Sequence, residues 1–304
     1  MEYDDLADYF LTPPATPIPA PAVPATAARR LRDSLEPIAT VGWWSRAASE
    51  SAAGLGLDFF SAYVWGRAAS LGADVTPQVV VSAFGVFEPA MIEGVLTTAQ
   101  ATASRPAILE AREAGATGGL AAATGAIDLS VIETLGHRLL AASGGLDGAA
   151  RPLFSGLRSL PVPDDPHGRL WRGAELVREH RGDGHLAACL AAGLDAAEMN
   201  VLTERWLDFP LGEYSATRGF PTARLDQAAA SLRQRGWLDA GHALTPDGRA
   251  TREAIERATD ASQAALVAAL HDDLDAVISS AVTVTTAVLD AHAAPADPRK
   301  RAAG

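Results

Sequence analysis

Residues Asp165–Leu194 read DPHGRLWRGAELVREHRGDGHLAACLAAGL, and where this stretch is divided sets the fold. Leu170, Ala174, Leu176 and Val177 recur at helical spacing, and the period stops at Arg181-Gly182-Asp183-Gly184, where glycine should end a helix. His185, Leu186, Cys189 and Leu190 restart the same period, with Asp183 placed as the N-cap of a second helix. The expectation is two helices meeting at a glycine corner that carries Glu179, His180, Arg181, Asp183 and His185. The first of these helices also brings His167, Arg169 and Trp171.

Working outward, the composition limits what such a corner can serve. Ala, Leu, Arg and Glu are abundant while strand-favouring residues are sparse, which predicts a mainly α protein. A net charge of −12 argues against a surface built to neutralise phosphates. Lys300 is the sole lysine and belongs to the C-terminal tail, so a Schiff-base or pyridoxal-binding lysine is not expected. Cys189 is the sole cysteine, which excludes an intrachain disulfide and any Cys-rich metal site. No apolar run has a bilayer-spanning length and MEYDDLADYF is acidic where a signal peptide is basic, so no membrane association and a cytoplasmic location are expected.

Five segments are expected. Residues 1–27 read as a disordered acidic and Pro-rich tail, whose Tyr3, Leu6, Tyr9 and Phe10 are candidates for docking another protein. Residues 28–155 read as an α-helical domain, with separate helices over Ala28–Ile38 and Trp43–Ala53 and a cluster of large rings. Residues 156–270 read as a winged-helix-like domain, 271–293 as a packing or dimerisation helix for a homodimer, and 294–304 as a second disordered tail. Within the second domain Pro221 opens a helix through Arg235, Trp237–Thr245 reads as two short strands about a glycine turn, and Thr245-Pro246 starts another helix. The stretch LDFPLGEYSATRGF between helices is irregular.

The phrase AAASLRQRGWLDAGHALTPDGRATREAIE resembles the third helix, wing and exit helix of MarR-type regulators. Together with PHGRLW, LVREHRGDGHLAACLAAGL, and LEPI and GRAASLG in the first half, it is similar to an actinobacterial family known by its SalK-type helix-turn-helix domain. The resemblance covers roughly residues 31–270 and implies a helical domain joined to a degenerate winged helix with a small two-stranded wing. It also implies a place in specialised metabolism. Where it leads one to expect Phe-His-Pro, the chain has Phe87-Glu88-Pro89, so Glu88 stands where a histidine is expected. DNA binding is not favoured: the Pro221–Arg235 helix carries Asp226 and several alanines, and the wing brings Asp239 and no arginine.

The expected function is therefore small-molecule binding, leaning towards an enzyme, in a cleft between the two domains. His185, His180, Asp183 and Glu179 are the candidate proton-transfer groups, because imidazole and carboxyl groups exchange protons near neutral pH. Arg181, Arg169 and His167 are candidates to hold an anionic substrate, with Trp171, Trp43 and Trp44 as its apolar wall and Glu88 beside them. Two alternatives stay open. One is a MarR-like ligand-responsive regulator. The other is a haem- or metal-dependent oxygenase, with His180, Asp183, His185 and Cys189 as the weaker ligand candidates; no cofactor is otherwise expected.

Overall fold

The computed structural model describes residues 3–16, 18, 19 and 25–303, and the rest of the expected N-terminal tail lies outside the described residues. The chain is mainly helical, as its composition requires. Thr26 caps α1 (Ala27–Trp44) by accepting from the Arg29 N–H. Pro37 lies inside this helix, yet the helix runs on, because Leu31, Leu35, Ile38 and Val41 bury one continuous face. The break expected near Ile38 is thus absent, and α2 (Arg46–Ala53) follows after Ser45. The first half continues with α3 (Phe59–Ala68), α4 (Pro77–Phe84), α5 (Pro89–Thr102), α6 (Arg105–Ala123), α7 (Leu129–Gly144) and α8 (Pro152–Arg158). The boundary expected at residues 155–156 falls inside α8.

The main correction concerns the stretch quoted first. Residues Pro166–Ala191 form one helix of 26 residues, α9, which passes through Gly182-Asp183-Gly184 without a turn. Of the glycines along α9, Gly184 and Gly173 serve close approach. A Cβ built on Gly184 would lie 2.4 Å from Ser262 Oγ, and one on Gly173 would lie 2.8 Å from Leu139 Cβ. Asp183 does cap a helix, but not its own: its Oδ2 accepts the Phe154 N–H at 3.0 Å near the start of α8, where Arg151 offers no side-chain cap. The corner itself comes later, at Ala192–Asp195. There α9 and α10 (Ala196–Trp206) meet at 103°, and Asp195 and Glu198 form a capping box.

After a long irregular segment come α11 (Thr222–Gln234) and α12 (Pro246–Ala261). The expected two-stranded wing is not formed. Between α11 and α12 there is a single antiparallel bridge, Leu238 to Leu244, and no strand occurs among the described residues. The connection is too short for a ladder because the Asp239 carboxylate takes the N–H groups of Gly241 (2.8 Å) and Ala243 (2.9 Å) and closes a tight turn. Then follow α13 (Ala264–Leu270), α14 (Leu274–Asp290) and α15 (Pro298–Ala302). The apolar face of α14 (Val277, Ile278, Ala281, Val284, Val288) is used within the chain, in a core shared with α1, α7 and α9. No single described helix is long and apolar enough to cross a membrane.

Among the described residues there are three larger cores and a small fourth cluster of Trp206, Leu207, Phe209 and Tyr214, and α9 reaches two of the larger ones: the core built with α1, α6, α7 and α14, and the one built with α10, α11 and α12. The third lies among α3, α4 and α5. Both chain ends are drawn onto this framework. Leu11 is buried, Phe10 packs on Trp44 with centroids 5.0 Å apart, and the Ala296 N–H donates to Phe10 O at 3.3 Å. The Arg32 guanidinium donates to Arg301 O, and Lys300 Nζ to Tyr9 O at 2.6 Å. The tails read as loose are, over residues 9–11 and 293–303, packed against the body and each other.

Candidate functional site

Arg178, Arg181, His185 and Cys189 recur at three- and four-residue steps along α9 and so share one face. That face forms one wall of an inner cavity of about 110 Å3, opposite Glu36 of α1, Tyr63 and Arg67 of α3, and Glu256 of α12. A second cavity, of about 390 Å3, is walled by Trp43, Trp44, Phe59 and Phe60 and bounded by Tyr9, Lys300 and Arg301 from the two ends. Glu36, Tyr63, Arg178, Tyr214 and Arg218 line both, so the two adjoin across these side chains as an inner and an outer chamber of one hollow region.

The inner chamber is walled by two arginine-carboxylate clusters. Glu179 accepts from Arg67 (Nη2 to Oε2, 2.9 Å) and Arg178 (Nη1 to Oε1, 3.1 Å). Glu256 accepts from Arg29 and Arg181 at 2.9 Å each and from Arg252 at 2.5 Å. Burial works against ionising Glu179, but Arg67 and Arg178 outweigh it and hold its carboxyl below the usual range. Glu179 is therefore an ionised clasp between two arginines rather than a proton carrier.

His185 reaches the inner chamber in a defined form. The Thr259 hydroxyl donates to Ile255 O at 2.8 Å, so it accepts from His185 Nδ1 at 2.9 Å, and the network assigns the Nδ1–H tautomer. Nε2 is left as an acceptor, 3.6 Å from the Cys189 sulfur, as their four-residue spacing predicts. Burial, with Arg252 beside it, pushes the imidazole pKa down to about 3, and burial raises the Cys189 thiol to about 11. Both are neutral near pH 7.

The other residues proposed from sequence are dispersed by the unbroken α9. His180 stacks edge-on against Phe154 at 4.9 Å and meets Gln263 Oε1 at 2.8 Å through Nδ1, outside both chambers. Asp183 is likewise occupied at α8. Arg169, sixteen residues before His185, is about 24 Å away along the helix and donates to Pro163 O. His167 sits beside Asp165 in the first turn, and Trp171 is buried in the first core. Glu88 caps α5 by accepting from the Met91 N–H at 2.7 Å. Trp43 and Trp44 do line the hollow, as do Glu179, Arg181 and His185. Among the described residues no three His, Cys, Asp or Glu side chains group so as to hold a metal ion, and His180, Asp183 and His185 each face a different partner.

Asp183 yields a pH-dependent prediction. Burial pushes its carboxyl up to about 7, against the hydrogen bond from the Phe154 N–H, and Oδ1 has no partner. The folded state thus binds a proton that the unfolded chain releases near pH 4. Its stabilising contribution is complete below pH 4 and is lost as pH rises through 7. Asp183→Asn is expected to remove that loss, so the wild-type Tm should fall relative to the variant between pH 5 and pH 8. Parallel Tm profiles would refute the assignment.

The sequence marks Tyr63 only as a member of the cluster of large rings, and it does not mark Arg67, Arg178, Tyr214, Arg218, Arg252 and Glu256 as site residues. For two of these a signal existed. Tyr214 and Arg218 lie in the segment between α10 and α11, whose length is uncommon for an irregular connection in a compact domain unless the loop is functional. Glu204 folds that segment: fully buried, it accepts the N–H groups of Gly212 (2.9 Å), Tyr214 (2.6 Å) and Ser215 (2.9 Å) and the Ser215 hydroxyl (2.9 Å).

On α11, the helix that would read DNA in a winged helix, Arg224 pairs with Asp195 and Arg235 donates to Ala192 O and Gly193 O. Thr222, Asp226, Gln227, Arg233 and Gln234 remain exposed. No curated protein and no solved structure matches the chain. A family model described as a helix-turn-helix family matches residues 28–295, nearly the whole of the described fold, and the chain therefore belongs to that helix-turn-helix family.

Proposed function

We propose that this helix-turn-helix chain is a small-molecule-binding protein whose ligand occupies the two-chambered hollow. The observation that carries the reading is the meeting of an aromatic chamber of about 390 Å3 with an arginine-lined one across shared residues. Its size is within the range of ligand pockets, as is its mix of rings and a few directed polar groups. The SalK-type resemblance of PHGRLW and LVREHRGDGHLAACLAAGL supports a ligand from specialised metabolism. If the hollow is also a reaction site, its proton-transfer group is Tyr63. Burial raises that phenol's pKa, but Arg67, Arg218 and Arg178 more than reverse the effect, and Arg67 Nη1 donates to the hydroxyl at 2.8 Å.

Trp44 is half-buried and lines only the outer chamber, so Trp44→Ala should fold and lose one wall of the site. In a thermal-shift screen of aromatic compounds, ligands are expected to stabilise the wild type by about 2.7 kcal/mol at a hundredfold excess over Kd and the variant much less. Equal stabilisation of both, or no ligand found, would end this reading.

A ligand-responsive regulator is the second reading, favoured by the family itself. Against it stands an α11 surface whose one exposed arginine, Arg233, lies beside Asp226 and meets His242 Nε2 at 3.4 Å. A gel shift with DNA from upstream of the gene is expected to show no sequence-specific, salt-sensitive complex, and such a complex would reverse the ranking.

A further inference from the structure

The outer chamber carries more positive charge than its surroundings balance. Arg178, Arg218, Lys300 and Arg301 line it, and its single carboxylate, Glu36, already accepts from Arg178 at 3.2 Å and faces Arg32 at 3.6 Å. The other three cations make no ion pair with a carboxylate among the described residues, although Asp297 and Glu213 act on Lys300, and Asp297, Asp33 and Glu36 on Arg301, from a distance without offsetting the cost of burial. Arg218 donates to the Tyr214 hydroxyl and lies over the Phe87 and Tyr214 rings at 4.7 and 4.8 Å, with its buried Nε unpaired. Lys300 donates to Tyr9 O, and Arg301 to Pro295 O and Ala296 O. In a protein of net charge −12, three cations held on carbonyls, a phenol and ring faces mark a place where negative charge is to arrive. Burial lowers the pKa of both Lys300 and Arg301, which fits cations short of counter-charge.

The walls give the shape of what carries that charge. Trp44 and Phe59 stack at 5.3 Å with 28° between their planes, Phe59 and Tyr63 at 6.4 Å with 23°, and Phe60 and Tyr63 at 6.1 Å with 18°. Near-parallel plates favour a flat guest, whose offset stacking on such rings contributes about 0.5–1.5 kcal/mol per pair. We propose that the outer chamber binds a planar aromatic acid, its ring against the Trp44–Phe59–Tyr63 plates and its carboxylate on Arg218, with Lys300 and Arg301 available to a second acidic group. This rests on the hollow being the ligand site and goes beyond that reading by naming the ligand's charge and shape.

Calorimetric titration of the full chain with 2-naphthoate, its neutral isostere 2-naphthamide, and naphthalene-2,6-dicarboxylate tests it. The acid is expected to bind at least about tenfold more tightly than the amide, a difference of about 1.4 kcal/mol, and the diacid more tightly again. Arg218→Gln should bring the ratio of acid to amide affinity close to one, whatever its effect on the affinity for either alone. Lys300→Gln, whose side chain belongs to none of the apolar cores and whose amide can still donate to Tyr9 O, should remove the diacid's added affinity and keeps the test alive if the first variant is unstable. Equal binding of acid and amide to the wild type, or both variants retaining wild-type preferences, overturns the proposal while leaving a ligand site in place. No heat from any of the three would overturn it together with the reading beneath it.

Discussion

Glu256→Gln is expected to destabilise the folded chain by about 3–5 kcal/mol, because removing one partner of a buried ion cluster leaves the others uncompensated. Arg29, Arg181 and Arg252 converge on this carboxylate, and its side chain is 6% exposed. The corresponding fall in Tm is roughly 5–8 °C for a chain of this size. Scanning calorimetry at pH 7.5 checks it, and a drop of only a degree or two would mean that water reaches the cluster.

The pH dependence follows with its sign. Burial opposes ionisation of Glu256, but Arg252, Arg181 and Arg29 hold its carboxyl far below the ordinary range, so its contribution is present above about pH 4.3 and is lost as pH falls further. His185 adds to the loss. Its folded pKa of about 3 lies below the unfolded value of about 6.5, so the unfolded chain binds the extra proton and stability declines as pH falls from 6.5 towards 3. Acid unfolding should begin near pH 6 in the wild type. The part of the decline below pH 4.5 should be reduced in Glu256→Gln.

Glu204→Ala should have the second-largest effect, felt more in the site than in the cores. It strands three backbone N–H groups and a hydroxyl, each costing about 1–3 kcal/mol if it stays buried. The segment will offset part of this by opening to water, so the expected net loss is about 2–4 kcal/mol. Tyr214 and Arg218 ride on that segment, so ligand affinity should fall at least about tenfold. Hydrogen exchange separates the effects: amides of residues 212–219 should lose protection while those of α9 keep it. Glu204→Gln retains one acceptor oxygen and should fall between the two. Unchanged protection in Glu204→Ala would show that the loop is held by other contacts.

Helices are legible in the sequence where an apolar stripe and a cap coincide, as at Thr245-Pro246. The reading failed where one residue type had two physical uses. Gly182 and Gly184 were read as a corner, whereas Gly184 admits Ser262 and Arg151 against the α9 backbone; only partners distant in the chain reveal that role. With the corner gone, side chains adjacent in sequence fan out around a helix, which is why His180 and Asp183 leave the site that His185 keeps. Arg67, Arg218 and Glu256 come from far-apart segments, and nothing local marks an arginine as facing a hollow rather than solvent. The wing was misread because alternation in Trp237–Thr245 is satisfied equally by a tight turn with one bridge.

Lys300 occupies an unusual chemical position. Expected in a loose tail, it lies at the rim of the outer chamber with its ε-nitrogen on Tyr9 O, and no second lysine exists to compete with it. Burial lowers its pKa, so a larger share of it is the free amine at a given pH than for an ordinary lysine. A reagent selective for primary amines, used in reductive alkylation, thus has one side-chain amine to modify in this sequence, and that amine doubles as a gauge of whether the chamber is filled.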